Sequence, residues 1–194
     1  MVLPPQPGPI PHLAVAAGKS GTLFLMNGDS LGGYSSTANN VLGSYSIGSC
    51  WCGPSYFVDR DGIGRVVSSG GTTVKVWKLR LAGGKPALGN TTSSPSIGGG
   101  QFGGFLTSVS SNGKNNAIIW ALSHPTTSNS TINLYAFNPD AGGATMKQLF
   151  KGAAGSWASY FGQSNLVPMV ANGQVYVATN KQLQIFGILP GSKR

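Results

Sequence analysis

The chain has 194 residues, enough for one ordinary domain and too few for a large multidomain enzyme. Its 30 glycines and 12 prolines, with no glutamate at all, exclude a helix-rich protein, and 40% hydrophobic against 9% charged residues exclude disorder throughout. The net charge of +9 is spread over single and paired lysines and arginines with no basic helix or basic-aromatic stripe, which excludes a specific nucleic-acid interface.

Residues 1–12 form a proline-rich lead with neither the basic start nor the apolar core of a signal peptide. No apolar run approaches the roughly 18 to 20 residues that span a bilayer. The longest runs, 13–17 and 117–122, have strand length. The first predicted hairpin joins 13–17 to 22–26 through Gly18-Lys19-Ser20-Gly21. Next comes Cys50-Trp51-Cys52, the chain's two cysteines. One intervening residue is too few for the usual zinc half-site and no second ligand pair follows, so a structural pair, free or disulfide-linked, is expected there.

The second group of strands is 54–58, 65–68 and 72–77, with turns at Asp61-Gly62 and Ser69-Gly70-Gly71. The third is 106–109, 117–122 and 132–137, with a turn at Asn112-Gly113 and a long polar loop before its last strand. The fourth is 167–170, 174–178 and 183–186, with a turn at Asn172-Gly173. Asp-Gly and Asn-Gly favour two-residue hairpins because both central residues take positive φ. The large residues that end the last strand of each group, Met26, Trp77, Phe137 and Phe186, are 51, 60 and 49 residues apart. A period near fifty built from hairpins predicts antiparallel meanders of three or four strands. One such sheet cannot cover both of its faces, and radial stacking lets each sheet cover the next. The predicted architecture is therefore an all-β partial propeller of about four blades, at 13–47, 48–92, 93–145 and 146–189, followed by a basic tail at 190–194. A β-sandwich of the same strands is the alternative, and it does not explain so long a period.

Motifs of familiar chemistry read as turns. Gly98, Gly100 and Gly103 spell G-x-G-x-x-G, but a strand follows where a pyrophosphate cradle needs a helix. Gly18-Lys19-Ser20 lacks the earlier glycine of a phosphate loop, and Ser111 and Lys114 lack the partners of an acylating serine. Asp59-Arg60-Asp61-Gly62 has oxygen ligands at alternate positions, yet glycine, Gly70, stands where a calcium loop closes with a carboxylate. Asp29 and Asp140 read as solvated turn residues, and neither His12 nor His124 has a serine and a carboxylate at a recognisable spacing.

The segments 13–27 (LAVAAGKSGTLFLMN), 134–140 (LYAFNPD) and 175–186 (VYVATNKQLQIF) resemble the repeat of quinoprotein-like propellers, the PQQ-repeat family, over most of the chain from Leu13 to Leu189. The resemblance implies a carboxy-terminal half of a longer ring in a periplasmic or extracellular setting, which the sequons at Asn90 and Asn129 also suit. For an active member it implies PQQ with calcium held by carboxylate and amide oxygens, an aspartate base, and a disulfide of adjacent cysteines as a redox pair. Here glutamate is absent, Trp51 separates Cys50 from Cys52, and no aspartates cluster as ligands. The expected function is a non-catalytic propeller module without cofactor, a fragment or half of a larger secreted one, that engages a protein or a second copy through exposed blade edges. The alternative is a subunit or remnant of a PQQ-dependent alcohol or sugar oxidoreductase. Trp51, Phe105 and Trp157 precede inner strands and are the candidate contacts at a channel mouth, against the competing reading that they plug gaps between blades.

Overall fold

The computed structural model describes residues 1–98, 103–140, 143–160 and 165–187. The G-x-G-x-x-G reading, which passes through Gly100, and the basic tail at 190–194 lie outside the described residues. Among the described residues there is no helix. Fourteen strands form four antiparallel sheets, each a meander in chain order. The first sheet contains β1 (Leu13–Gly18), β2 (Thr22–Asn27) and β3 (Gly43–Ser46). The second contains β4 (Ser55–Val58), β5 (Gly64–Gly70), β6 (Thr73–Ala82) and β7 (Lys85–Ser93). The third contains β8 (Thr107–Asn112), β9 (Asn115–Leu122), β10 (Thr131–Asn138) and β11 (Lys147–Ser156). The fourth contains β12 (Met169–Ala171), β13 (Gln174–Thr179) and β14 (Gln182–Phe186).

Three details differ from the sequence reading. The strand Lys147–Ser156 pairs with β10 and closes the third sheet, so that sheet runs past residue 145 and the fourth begins later than 146. The lead is part of the fold: Val2 bridges Ala14, the Leu3 N–H donates to the Leu13 carbonyl at 2.9 Å, and the Leu3 side chain is buried. It thus bridges the free edge of β1. Of the three expected two-residue turns, Asn172-Gly173 has both central φ angles positive, at 51° and 73°. Asp61-Gly62 instead belongs to a five-residue loop between Val58 and Gly64, closed by the Asp59 N–H on the Ile63 carbonyl at 3.2 Å.

Side-chain alternation explains how the sheets stack. Successive strand residues point to opposite faces, so a sheet covered on both sides must be apolar on both. In β5 every residue is buried: Val66 joins a cluster with Leu13, Val15, Leu23 and Leu25 of the first sheet, whereas Val67 joins one with Ile119, Tyr135 and Phe137 of the third. In β10, Tyr135 and Phe137 face the second sheet while Ile132 and Leu134 join Val175 and Val177 of the fourth. Three apolar clusters therefore lie between four sheets taken in chain order. Each fully buried large side chain in them contributes about 1.5 to 3 kcal/mol relative to exposure.

The first strands of neighbouring sheets also meet. Gly53 forms a parallel bridge with Leu106, the hydroxyls of Ser55 and Thr107 are 2.8 Å apart, and the Ser108 hydroxyl donates to the Pro168 carbonyl. The segment leaving each sheet is held by turns on both sides. Ile47 N–H donates to the Gly21 carbonyl of its own sheet, and the Ser49 carbonyl accepts from Gly71 N–H of the next, at 2.9 and 2.8 Å. Ser156 repeats the second contact, accepting from Asn180 N–H at 3.0 Å. Glycine is required where these backbones touch: a Cβ on Gly70 would collide with the Ile47 carbonyl, and one on Gly103 would sit 2.6 Å from the Ser49 carbonyl.

Candidate binding site

The sequence candidates fall on three successive segments that leave a sheet, and the fold gives them different surroundings. Cys50 and Cys52 are joined in a disulfide with their Cα atoms 5.2 Å apart. The bond projects Trp51 between them, and the Trp51 N–H is fixed on the Gly103 carbonyl at 2.8 Å. Lys19, from the β1–β2 turn, places its Nζ 3.8 Å from the centre of the indole ring. Together with Ala17 and Leu106 these residues line an open pocket of about 450 Å³. A cation over an indole face contributes about 0.5 to 1 kcal/mol at an exposed site, so Lys19 both shields the ring and offers a positive charge beside it. The pocket's chemistry is that of binding an aromatic or anionic group, since none of the residues named is a carboxylate or a histidine.

Phe105 is 1% exposed and lies in the cluster between the second and third sheets. Its N–H and carbonyl both bond the Ser69 hydroxyl, at 2.6 and 2.7 Å. The ring of His124 stacks on it with centroids 5.5 Å apart. Trp157 is half-buried against the cluster between the third and fourth sheets, with its N–H on the Ser130 carbonyl at 3.3 Å. Phe105 and Trp157 thus fill the seams between sheets, and Trp51 is the one of the three that stands beside the disulfide and Lys19.

His124 Nε2 lies 2.6 Å from the Gly104 carbonyl, which can only accept, so Nε2 carries the proton. Burial holds its pKa below the ordinary 6.5, with the carbonyl bond opposing the shift. The folded state therefore takes up this proton less readily than the unfolded chain. The resulting loss of stability begins as pH falls below the ordinary value and is complete below the folded one. The thermal midpoint is expected to fall on acidification from pH 7 through about 6. His124→Gln, which keeps a donor for Gly104, flattens that slope; an unchanged slope in the variant would assign it elsewhere.

A second polar group escaped the sequence reading. Arg65, on β5, donates to Asp59 at 2.7 Å, to Asp61 at 2.9 Å and to the Ile63 carbonyl at 3.0 Å, and Lys78 on β6 reaches Asp61 at 2.8 Å. Arg65 first, with Lys78 and the Ile63 N–H adding to it, holds the Asp61 carboxyl well below the usual carboxylate range. The two aspartates four and six residues before Arg65 are the signal that was available. Asp29 is exposed and lies 2.9 Å from His12 Nδ1, whereas Asp140 is half-buried beside Asp59.

No family model, curated protein or solved structure matches this chain. The functional reading therefore rests on its own geometry. Of the carboxylates that a calcium site implied by the resemblance would draw on, Asp59 and Asp61 are committed to Arg65 and Lys78. Among the described residues no three of His, Cys, Asp and Glu come together as ligands.

Proposed function

We propose that this chain is a partial β-propeller that acts as a non-catalytic binding or scaffold module and is completed by a second copy of itself. The observation that carries the reading is the outer face of the fourth sheet. Register places Met169, Tyr176 and Ile185 in one row across β12, β13 and β14, with Ala178 and Leu183 beside them. Met169, Leu183 and Ile185 are 57%, 61% and 54% exposed. The second and third sheets bury the corresponding face under a following sheet, and this one is an apolar face of the same construction without that cover among the described residues. The back of the first sheet offers the complementary end, where Ala14 pairs with Met26 and Ala16 with Phe24 on the face away from the second sheet. Head-to-tail seating of the fourth sheet on a second copy's first sheet continues the stacking already used three times within the chain. Ring closure then removes both open ends, which a heterologous contact otherwise leaves for further addition.

The Cys50–Cys52 disulfide supports a periplasmic or extracellular setting for such a module, because disulfides persist in oxidising compartments. Static light scattering at micromolar concentration tests the assembly. The expected result is a discrete oligomer that Leu183→Glu combined with Ile185→Glu converts to monomer while the β-sheet circular dichroism is retained. A wild-type monomer with cooperative melting would overturn self-completion.

A further inference from the structure

Between the second and third sheets, at the end that carries the Asp59–Ile63 loop, lies an open cleft of about 220 Å³. It is open to solvent and large enough to admit a small molecule. Its walls differ from the apolar seam above it: Asp59, Arg60, Arg65 and Thr92 come from the second sheet and Asp140 from the third. Thr92, on β7 opposite Val76, is 4% exposed, and its hydroxyl has no hydrogen-bond partner. A buried hydroxyl without a partner is costly, and one that lines a polar cleft marks the place a ligand group completes.

The charges around it are unequally used. Arg65 is spent on Asp59 and Asp61, and the free oxygen of Asp59 takes the Arg60 N–H at 2.7 Å. Arg60 and Asp140 are left, one on each wall. Neither takes part in any ion pair among the described residues, although they face one cleft. Opposite charges on facing walls, with a buried hydroxyl in the same lining, are what a ligand bearing both charges would use: its carboxylate on the Arg60 guanidinium, its ammonium on Asp140, and a hydrogen bond to Thr92 Oγ1. An anion alone leaves the half-buried Asp140 uncompensated beside Asp59, and a cation alone makes no use of the exposed Arg60 guanidinium on the facing wall.

We propose that this cleft binds a small zwitterion, a free amino acid or a compound with the same paired ammonium and carboxylate. Burial and the nearby Asp59 raise the Asp140 pKa, and an entering ammonium would reverse that shift by pairing the carboxylate. The site is independent of whether the chain assembles, since the residues named all belong to one copy.

The test is titration of the full chain with L-serine, followed by the amide resonances of Arg60, Thr92 and Asp140. Saturable shifts confined to this cleft are expected, with no saturation by acetate, methylamine or glycerol at the same ionic strength. Asp140→Asn and Arg60→Gln each lower the affinity at least tenfold, and Thr92→Val lowers it several-fold while leaving the fold intact. Arg60 and Asp140 lie in loops and have no ion pair to lose, so their variants fold. Unsaturable shifts, equal response to acetate or methylamine, or undiminished binding by Asp140→Asn would each overturn the proposal.

Discussion

Arg65→Met is expected to destabilise the chain by about 3 to 5 kcal/mol, the cost of leaving a buried charge without its partner. The side chains of Arg65 and Asp59 are 9% and 10% exposed, so water from the adjoining cleft replaces the lost guanidinium at Asp59 only in part. Asp61 suffers less, because it is more open and keeps Lys78. Urea unfolding checks the value, with the midpoint falling and the slope unchanged. Adding Asp59→Asn to Arg65→Met is expected to recover much of the loss, since the uncompensated charge goes with it. If the double variant is as unstable as the single one, the loss is of packing by the guanidinium stem and not of charge.

The same cluster sets the acid limit. Asp61 is held below its ordinary value of 3.8, so its contribution is fully present above that pH and is lost as pH falls below it. Arg65→Met weakens that dependence, and Lys78 with the Ile63 N–H retains the rest. The histidine effect occupies a separate window near pH 6, and the two variants therefore separate the two titrations.

Much of this architecture is legible in the residues because its inner strands announce themselves. The apolar run in 174–178, the Asn172-Gly173 turn and the spacing of Trp77, Phe137 and Phe186 lead directly to antiparallel meanders in chain order. The outer strands are silent for a physical reason. Lys147–Ser156 is mostly exposed, its pairing with β10 is broken by two register shifts, and its sequence KQLFKGAAGS has no period of two. A strand that packs little has little need of a pattern. Gly43–Ser46 is equally short of signal. The aromatic candidates show a different limit. Position before an inner strand identifies Trp51, Phe105 and Trp157 as a set, but solvent contact depends on what the neighbouring sheet brings: Lys19 for Trp51, His124 and Ser69 for Phe105. The Arg65 cluster was missed because Asp59 and Asp61 read as turn residues, which they are, and only pairing across β5 and β6 adds Lys78.

Phe137→Ala and Leu183→Ala form the sharpest pair for the stacking itself. Phe137 is fully buried between the second and third sheets, and its truncation is expected to cost about 3 to 5 kcal/mol through lost transfer energy and the cavity left behind. Leu183 occupies the outer row of the fourth sheet at 61% exposure, so its truncation is expected to change the stability of a single copy by less than about 0.5 kcal/mol. The two residues follow the same pattern in sequence, each in the strand that ends its predicted unit. Phe137 is covered by the second sheet, whereas no sheet among the described residues covers Leu183, so the difference between them measures cover by a neighbouring sheet and not side-chain chemistry alone. Assembly adds a further sign: if a second copy supplies that cover, the wild-type melting temperature rises with protein concentration, and Leu183→Ala removes the rise without altering the dilute limit. A large loss from Leu183→Ala in dilute monomer would mean that the face is already covered within the chain, and the open-ended stack would have to be abandoned.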